Sequence, residues 1–288
     1  MKLDFLSKKI YLAVSKLDMD KLRELRIRLG FPIKVLYETS QLYLSINGIS
    51  KLKDNAIICE RNDIDEIIKN VTEFSIYAHN NKIKQGYLTA ENGIRIGISG
   101  ECVFDNNNII TIKNISSLNV RIPHLIENCS LSFINKIIST NSIYNTLIIS
   151  PPGIGKTTML KDISLRLNEF NFGSILIIDE RGEFDLIKGE NIDKITYSNK
   201  GFAFEYAIRS LSPKIIVTDE LATEKDWESV YMASKSGVKI IASAHGHNLD
   251  DVISKRFYFN DVFERFIVLD EKNIGNIKSV YNENYSLI

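Results

Sequence analysis

Long apolar runs are what this chain most clearly lacks. No stretch approaches the roughly 18 apolar residues that a bilayer-spanning helix requires. Residues 1–9 meet charge before an apolar run can form, so neither a membrane span nor a signal peptide is expected. Cysteine is scarce: Cys59, Cys102 and Cys129 are far apart and odd in number. That excludes a C-x-x-C pair, a Cys/His zinc cluster and a disulfide framework, and suggests reduced thiols. Charge of one sign is missing too, because 36 basic residues balance 36 acidic ones among 288 residues. The basic surplus of a dedicated nucleic-acid binder is therefore absent. Internal repeats and low-complexity linkers are also missing. What remains is 44% hydrophobic and 25% charged, a mixture that buries a core and solvates a surface at a length suited to two ordinary domains.

The first half reads as α+β. Leu22, Leu25 and Leu29, spaced by three and four, predict a helix over 18–29 that Gly30 and Pro32 end. Residues 35–37 and 42–44 predict strands, and Ile64, Ile67, Ile68 and Val71 a helix capped by Asn62 or Asp63. Asn92-Gly93 predicts a hairpin between 86–89 and 94–98, and a second hairpin turns through 106–108 into 109–112. The second half changes character. Apolar runs at 147–149, 175–178, 215–217 and 239–242 are continuous rather than alternating, as in parallel strands buried on both faces. The expected fold class is α/β: a RecA-like P-loop core with a parallel central sheet over 141–288, preceded by a smaller α+β domain over 1–140.

Between the strand at 147–149 and a helix running to Leu167 stands Ser150-Pro151-Pro152-Gly153-Ile154-Gly155-Lys156-Thr157-Thr158. A phosphate-binding loop needs glycines to curl its N–H groups toward one anion, and a helix N-terminus to add its positive end. Lys156 is placed to reach the β- and γ-phosphates of ATP, and the Thr157 hydroxyl to ligate Mg²⁺. Ser150 replaces the first glycine of the pattern, a small residue for a small one.

Two other strands end in acidic pairs, 175–178 in Asp179-Glu180 and 215–218 in Asp219-Glu220. Ligands of open parallel sheets gather at the strands' carboxyl ends. Asp219 suits the metal and Glu220 the attacking water, with Glu180 a second candidate for the water. His245 ends the strand at 239–242 in Ala244-His245-Gly246-His247, where a polar side chain can sense the γ-phosphate; His247 is the weaker candidate.

This order of parts resembles the secretion ATPases of type II and type IV systems. Residues 179–183 look like their acidic box, 208–220 like the stretch into the Walker B glutamate, and 237–245 like the histidine box. Within that superfamily the stage III sporulation protein AA family is the nearest in pattern. The likeness rests on Arg26-Ile27-Arg28, 86–89, 93–100, Asn119-Val120-Arg121-Ile122, Ala244-His245-Gly246 and 262–266. The resemblance implies an ATP- and Mg²⁺-dependent motor or assembly ATPase of a secretion-like channel in endospore formation. It further implies a hexameric ring in the mother-cell cytoplasm, held at the membrane by other stage III sporulation proteins. Arginines of the N-terminal domain would reach the nucleotide, and Arg121 and Arg95 stand in matching segments. Two other classes stay open: a RecA- or helicase-type nucleic-acid motor, which the neutral charge disfavours, and an ATP-dependent scaffold with little turnover, which Glu180 and Glu220 disfavour.

Overall fold

A computed structural model describes residues 2–73, 75, 79–105, 108–140, 142–196, 199–253 and 262–288. The chain divides into two compact units, 1–124 and 125–288.

The first unit carries α1 (Lys8–Val14), β1 (Leu22–Arg28), β2 (Lys34–Tyr37), β3 (Ser40–Ser45), β4 (Gly48–Ser50), α2 (Arg61–Val71), α3 (Asn80–Lys84), β5 (Tyr87–Thr89), β6 (Arg95–Asp105) and β7 (Asn108–Arg121). Its strands form one sheet in the order β4-β3-β2-β1-β7-β6-β5, each neighbour antiparallel. Ile64, Ile67, Ile68 and Val71 of α2 share a core with Leu25, Ile27, Val35, Ile96 and Val120 of the sheet. The expected hairpin is present: β5 pairs with β6, and Asn92 and Gly93 turn the chain at φ 58° and 71°. In the second hairpin β6 pairs with β7, while Asn106 and Asn107 lie outside the described residues.

The helix expected over 18–29 is a strand. Leu22, Leu25 and Ile27 are all fully buried, and the register of β1 against β2 slips between Leu22 and Glu24. A bulge there turns a spacing of three into two inward positions of one strand, so the helix-like interval is a β-bulge. The cap of α2 also differs from expectation. Glu60 is the N-cap, and Asp63, in the first turn, accepts the Glu60 N–H at 2.9 Å. Burial pushes the Asp63 carboxyl up, but that N–H, Lys9 and Ser7 together hold it below the usual carboxylate range.

The second unit carries α4 (Ile134–Ile137), β8 (Thr146–Ile149), α5 (Lys156–Glu169), β9 (Ile175–Asp179), β10 (Ile192–Thr196), α6 (Lys200–Tyr206), β11 (Ile215–Thr218), α7 (Glu224–Lys235), β12 (Lys239–Ala244), α8 (Leu249–Ile253), β13 (Arg265–Leu269) and β14 (Ile277–Asn282). The sheet order is β10-β9-β11-β12-β8-β13-β14, parallel up to β13, with β14 antiparallel at the edge. Ile148, Ile177, Val217 and Ile241 bury against Met159, Leu160 and Ile163 of α5. Leu147, Leu176, Ile216 and Ala242 bury with Phe204 of α6 and Trp227 and Val230 of α7. Helices on both faces bury both sides of these strands, which is why the apolar runs are continuous rather than alternating.

The division between units falls before residue 125, earlier than the expected boundary near 140. The intervening segment belongs to the second core. Phe133, Ile134 and Ile137 bury with the α5 side chains. Asp162 of α5, fully buried, accepts the N–H groups of Asn128 at 2.8 Å and Ser130 at 2.7 Å, and the Ser130 hydroxyl at 2.6 Å. The polar stretch around 139–142 is only a surface turn closed by Ser139 N–H to the Ser142 carbonyl; Asn141 lies outside the described residues.

Candidate active site

The loop after β8 starts with Ser150, fully buried, and ends at Gly155, the N-cap of α5. Gly153 and Gly155 take φ of 80° and 107°, conformations in which a side chain is strained, and this curl turns the chain onto the helix N-terminus. Ser150 in place of glycine is accommodated with its hydroxyl donating to the Pro151 carbonyl at 3.0 Å and accepting from the Lys156 ammonium at 3.4 Å. Pro152 and Ile154 complete the loop, and Ile154 packs partly against the α5 core. Thr157 and Thr158 follow Lys156 in the first turn of α5, a helix of 14 residues.

Lys156 is 7% exposed, and its ammonium meets the Ser150 carbonyl at 2.6 Å, the Pro151 carbonyl at 2.9 Å and His245 Nδ1 at 3.0 Å. Burial lowers its pKa to about 8, against the attraction of Glu220. An ammonium has no acceptor, so Nδ1 of His245 accepts and its Nε2 carries the proton. That Nε2 lies 3.0 Å from Glu220 Oε1, and Arg181 meets Glu220 Oε2 at 2.5 Å. The sheet order makes this chain possible. β12 lies between β8 and β11, so His245, just past β12, stands between the loop after β8 and Glu220 after β11. Glu220 itself holds φ 34°, a left-handed conformation costing a non-glycine residue about 1–3 kcal/mol. Its N–H donates to the Ser243 hydroxyl of β12 at 2.9 Å, which fixes that turn.

Asp219 is 3% exposed, and burial raises its carboxyl to about 6, partly offset by Lys200 and reinforced by Glu183 and Asp179. Asp179 is fully buried and accepts the N–H groups of Arg181, Glu183 and Phe184, so it shapes the loop after β9. Glu180 points elsewhere than Glu220. Lys200, 2% exposed at the start of α6, grips it with its ammonium at 2.5 Å and its N–H at 3.2 Å. Burial lowers Lys161, on α5, against the pull of Glu183, Asp179 and Asp219. Among the described residues no group of three or more His, Cys, Asp or Glu could cage a metal by itself. Mg²⁺ at phosphate sites takes only one or two carboxylates and fills its shell with phosphate and water. A buried Asp219 at the end of β11 and a Thr157 hydroxyl in the first turn of α5 fit that donor set.

Lys156, His245 and Glu220 are thus brought together, with Asp219 next in chain. His247 is not: exposed, it pairs with Glu271 at 2.9 Å. Arg121 and Arg95 belong to the first unit, both exposed and directly opposite each other on β7 and β6. Arg95 stacks over Tyr87, its guanidinium carbon 4.2 Å from the ring centre. Arg181, Lys200 and Ser243 join the site without having been singled out from the sequence. A buried lysine at a helix start carries no local signal, and Arg181 lay within the acidic box among more obvious carboxylates.

A family model described as "Sporulation stage III, protein AA" matches residues 3–288. The chain belongs to this family. Stage III sporulation protein AA of Bacillus subtilis (strain 168) is 28% identical over 286 residues, covering 93% of this chain and 89% of that one. Among solved structures, the Legionella pneumophila ATPase DotB superposes with TM-score 0.58 at 14% identity, covering 93% of this chain and 75% of that one. The pilus retraction motor PilT with bound ADP gives 0.56 at 13% identity, covering 87% and 75%. At such identities the likeness speaks to fold alone: a RecA-like α/β core that follows a smaller α+β unit in the chain. The N-terminal segments of this family member, β1, β6 and β7 among them, fall within the matched residues.

Proposed function

We propose that this family member hydrolyses ATP and serves as the motor or assembly ATPase of a secretion-like channel during endospore formation. The observation that carries the reading is the linkage of the P-loop Lys156 to Glu220 through His245, at the carboxyl ends of three adjacent parallel strands. Lys156 and the loop N–H groups would bind the β- and γ-phosphates of ATP, and Glu220 would orient the attacking water. Thr157 and Asp219 would hold Mg²⁺, which supplies charge neutralisation at the transferring phosphoryl group when bound. Glu180, gripped by Lys200, would secure α6 to the acidic loop rather than touch water. His245 would report phosphate occupancy to Glu220.

The family's name and the printed roles of DotB as an ATPase and PilT as a pilus retraction motor support a motor role in sporulation; a ring of subunits, with Arg121 acting on a neighbour's nucleotide, is proposed alongside it. The ring is proposed to be hexameric and to lie in the mother-cell cytoplasm, tethered by other stage III sporulation proteins. No helix among the described residues is long and apolar enough to cross a membrane, so tethering would come through partners. Nucleic acid is not an expected ligand, given the balanced charge.

A paired experiment tests the reading. Lys156→Ala should lose both ATP binding and phosphate release. Glu220→Gln should keep ATP binding and lose hydrolysis by about 10²-fold or more, the scale of lost acid–base work. Normal turnover in a folded Lys156→Ala protein would end the ATPase assignment, and normal turnover in Glu220→Gln would move the water role to Glu180.

A further inference from the structure

Arg181 has no part in the P-loop or the metal-side residues, yet it makes the shorter of the two contacts to Glu220, 2.5 Å against 3.0 Å from His245. Its side chain is 59% exposed, so as an isolated surface ion pair it would contribute little. Its position in a chain of contacts gives it more consequence. The three protons of the Lys156 ammonium are shared among four partners, Ser150 O, Pro151 O and His245 Nδ1 at 2.6 to 3.0 Å and the Ser150 hydroxyl at 3.4 Å. His245 Nε2 donates onward to Glu220, and Arg181 occupies that carboxylate's other oxygen. The Lys156–His245–Glu220 bonds run donor to acceptor in one direction and so reinforce one another, whereas Arg181, a second donor to Glu220, fixes where that carboxylate sits. A phosphate that engages Lys156 must take the ammonium from these partners. A water that uses Glu220 must displace Arg181 or His245.

We infer that Arg181 is a positioning residue: by holding Glu220 against His245 it keeps Lys156 on the loop carbonyls, in competition with ATP phosphate. This deepens the ATPase reading proposed above and rests on it. ATP binding breaks the contact at Lys156, the His245 link loosens, and Glu220 is released toward water only when phosphate is in place. The left-handed backbone of Glu220, held by the Ser243 hydroxyl, suits such a role because it stores strain that movement of the side chain can relieve. Turnover without bound nucleotide in register is thereby suppressed.

The test is a titration of the full chain with fluorescent mant-ATP and Mg²⁺ near neutral pH, with phosphate release measured alongside. Arg181→Gln should bind mant-ATP about two- to fivefold more tightly, the equilibrium worth of one partly exposed ion pair, with a matching fall in KM. Arg181→Lys, which keeps the charge, should bind with wild-type affinity. In a His245→Ala background the effect of Arg181→Gln should vanish, because the coupling runs through the imidazole. Equal or weaker binding by Arg181→Gln overturns the proposal, as does a gain that persists without His245. Wild-type protein that binds no mant-ATP at all would remove the ATPase reading itself, and this inference with it.

Discussion

Replacing Asp162 by alanine should strip the fold of a fully buried charge. Its carboxylate, fully buried, accepts two backbone N–H groups and one hydroxyl at 2.8, 2.7 and 2.6 Å, and Arg166 Nε stands 3.7 Å away. Each hydrogen bond to a charged group contributes roughly 1.5–3 kcal/mol, but deletions at one acceptor are not additive and water will reach some of the orphaned donors. The loss expected for Asp162→Ala is about 3–5 kcal/mol, the range for breaking a buried charged network. Asp162→Asn keeps one acceptor and should lose less, about 1–3 kcal/mol. The assay is built in. Trp227, the only tryptophan, is 4% exposed in the core of the same unit, so its fluorescence follows unfolding of that unit in urea. The pH dependence has a definite sign. Burial pushes Asp162 up, but the Ser130 and Asn128 donors outweigh it and hold its carboxyl below the usual range. A carboxylate depressed in the folded state contributes stability above its unfolded value, about 3.9, and loses it as pH falls through the folded value. The gap between wild type and Asp162→Ala should therefore be full at neutral pH and shrink below about pH 4. A loss under about 1 kcal/mol at neutral pH, within reach of an ordinary surface change, would refute the view that this clasp holds residues 128–130 to α5.

Two further outcomes follow from the site. Lys156, lowered to about 8, must be protonated to meet phosphate, so ATP affinity measured by titration should be flat below that pH. Above it, affinity should weaken by up to about tenfold per pH unit, and pH-independent binding up to about pH 10 would contradict the assignment of Lys156. If Arg121 serves a neighbouring subunit's nucleotide, phosphate release should rise more steeply than linearly with protein concentration; mixing inactive Arg121→Ala with inactive Lys156→Ala should restore activity, and absence of rescue would confine the site to one subunit.

What could be read along the chain was what local chemistry governs. The P-loop was legible because curling a backbone around phosphate needs glycine at Gly153 and Gly155, wherever the rest of the protein lies. The parallel core was legible because strands covered on both faces carry continuous apolar runs, as 147–149 of β8, 175–178 of β9 and 215–217 of β11 do. The Asn92-Gly93 hairpin was legible for the same local reason. Elements decided by distant partners were not. The spacing of Leu22 and Leu25 is compatible with a helix, and only pairing with β2 around a bulge makes it a strand. Residues 125–140 looked like the tail of the first domain until Asp162, from the following helix, claimed Asn128 and Ser130. The sequence named Lys156, Glu220 and His245 one by one as candidates. Their connection, and the entry of Arg181 and Lys200, depended on β12 lying between β8 and β11, and strand order is settled by packing across the whole sheet.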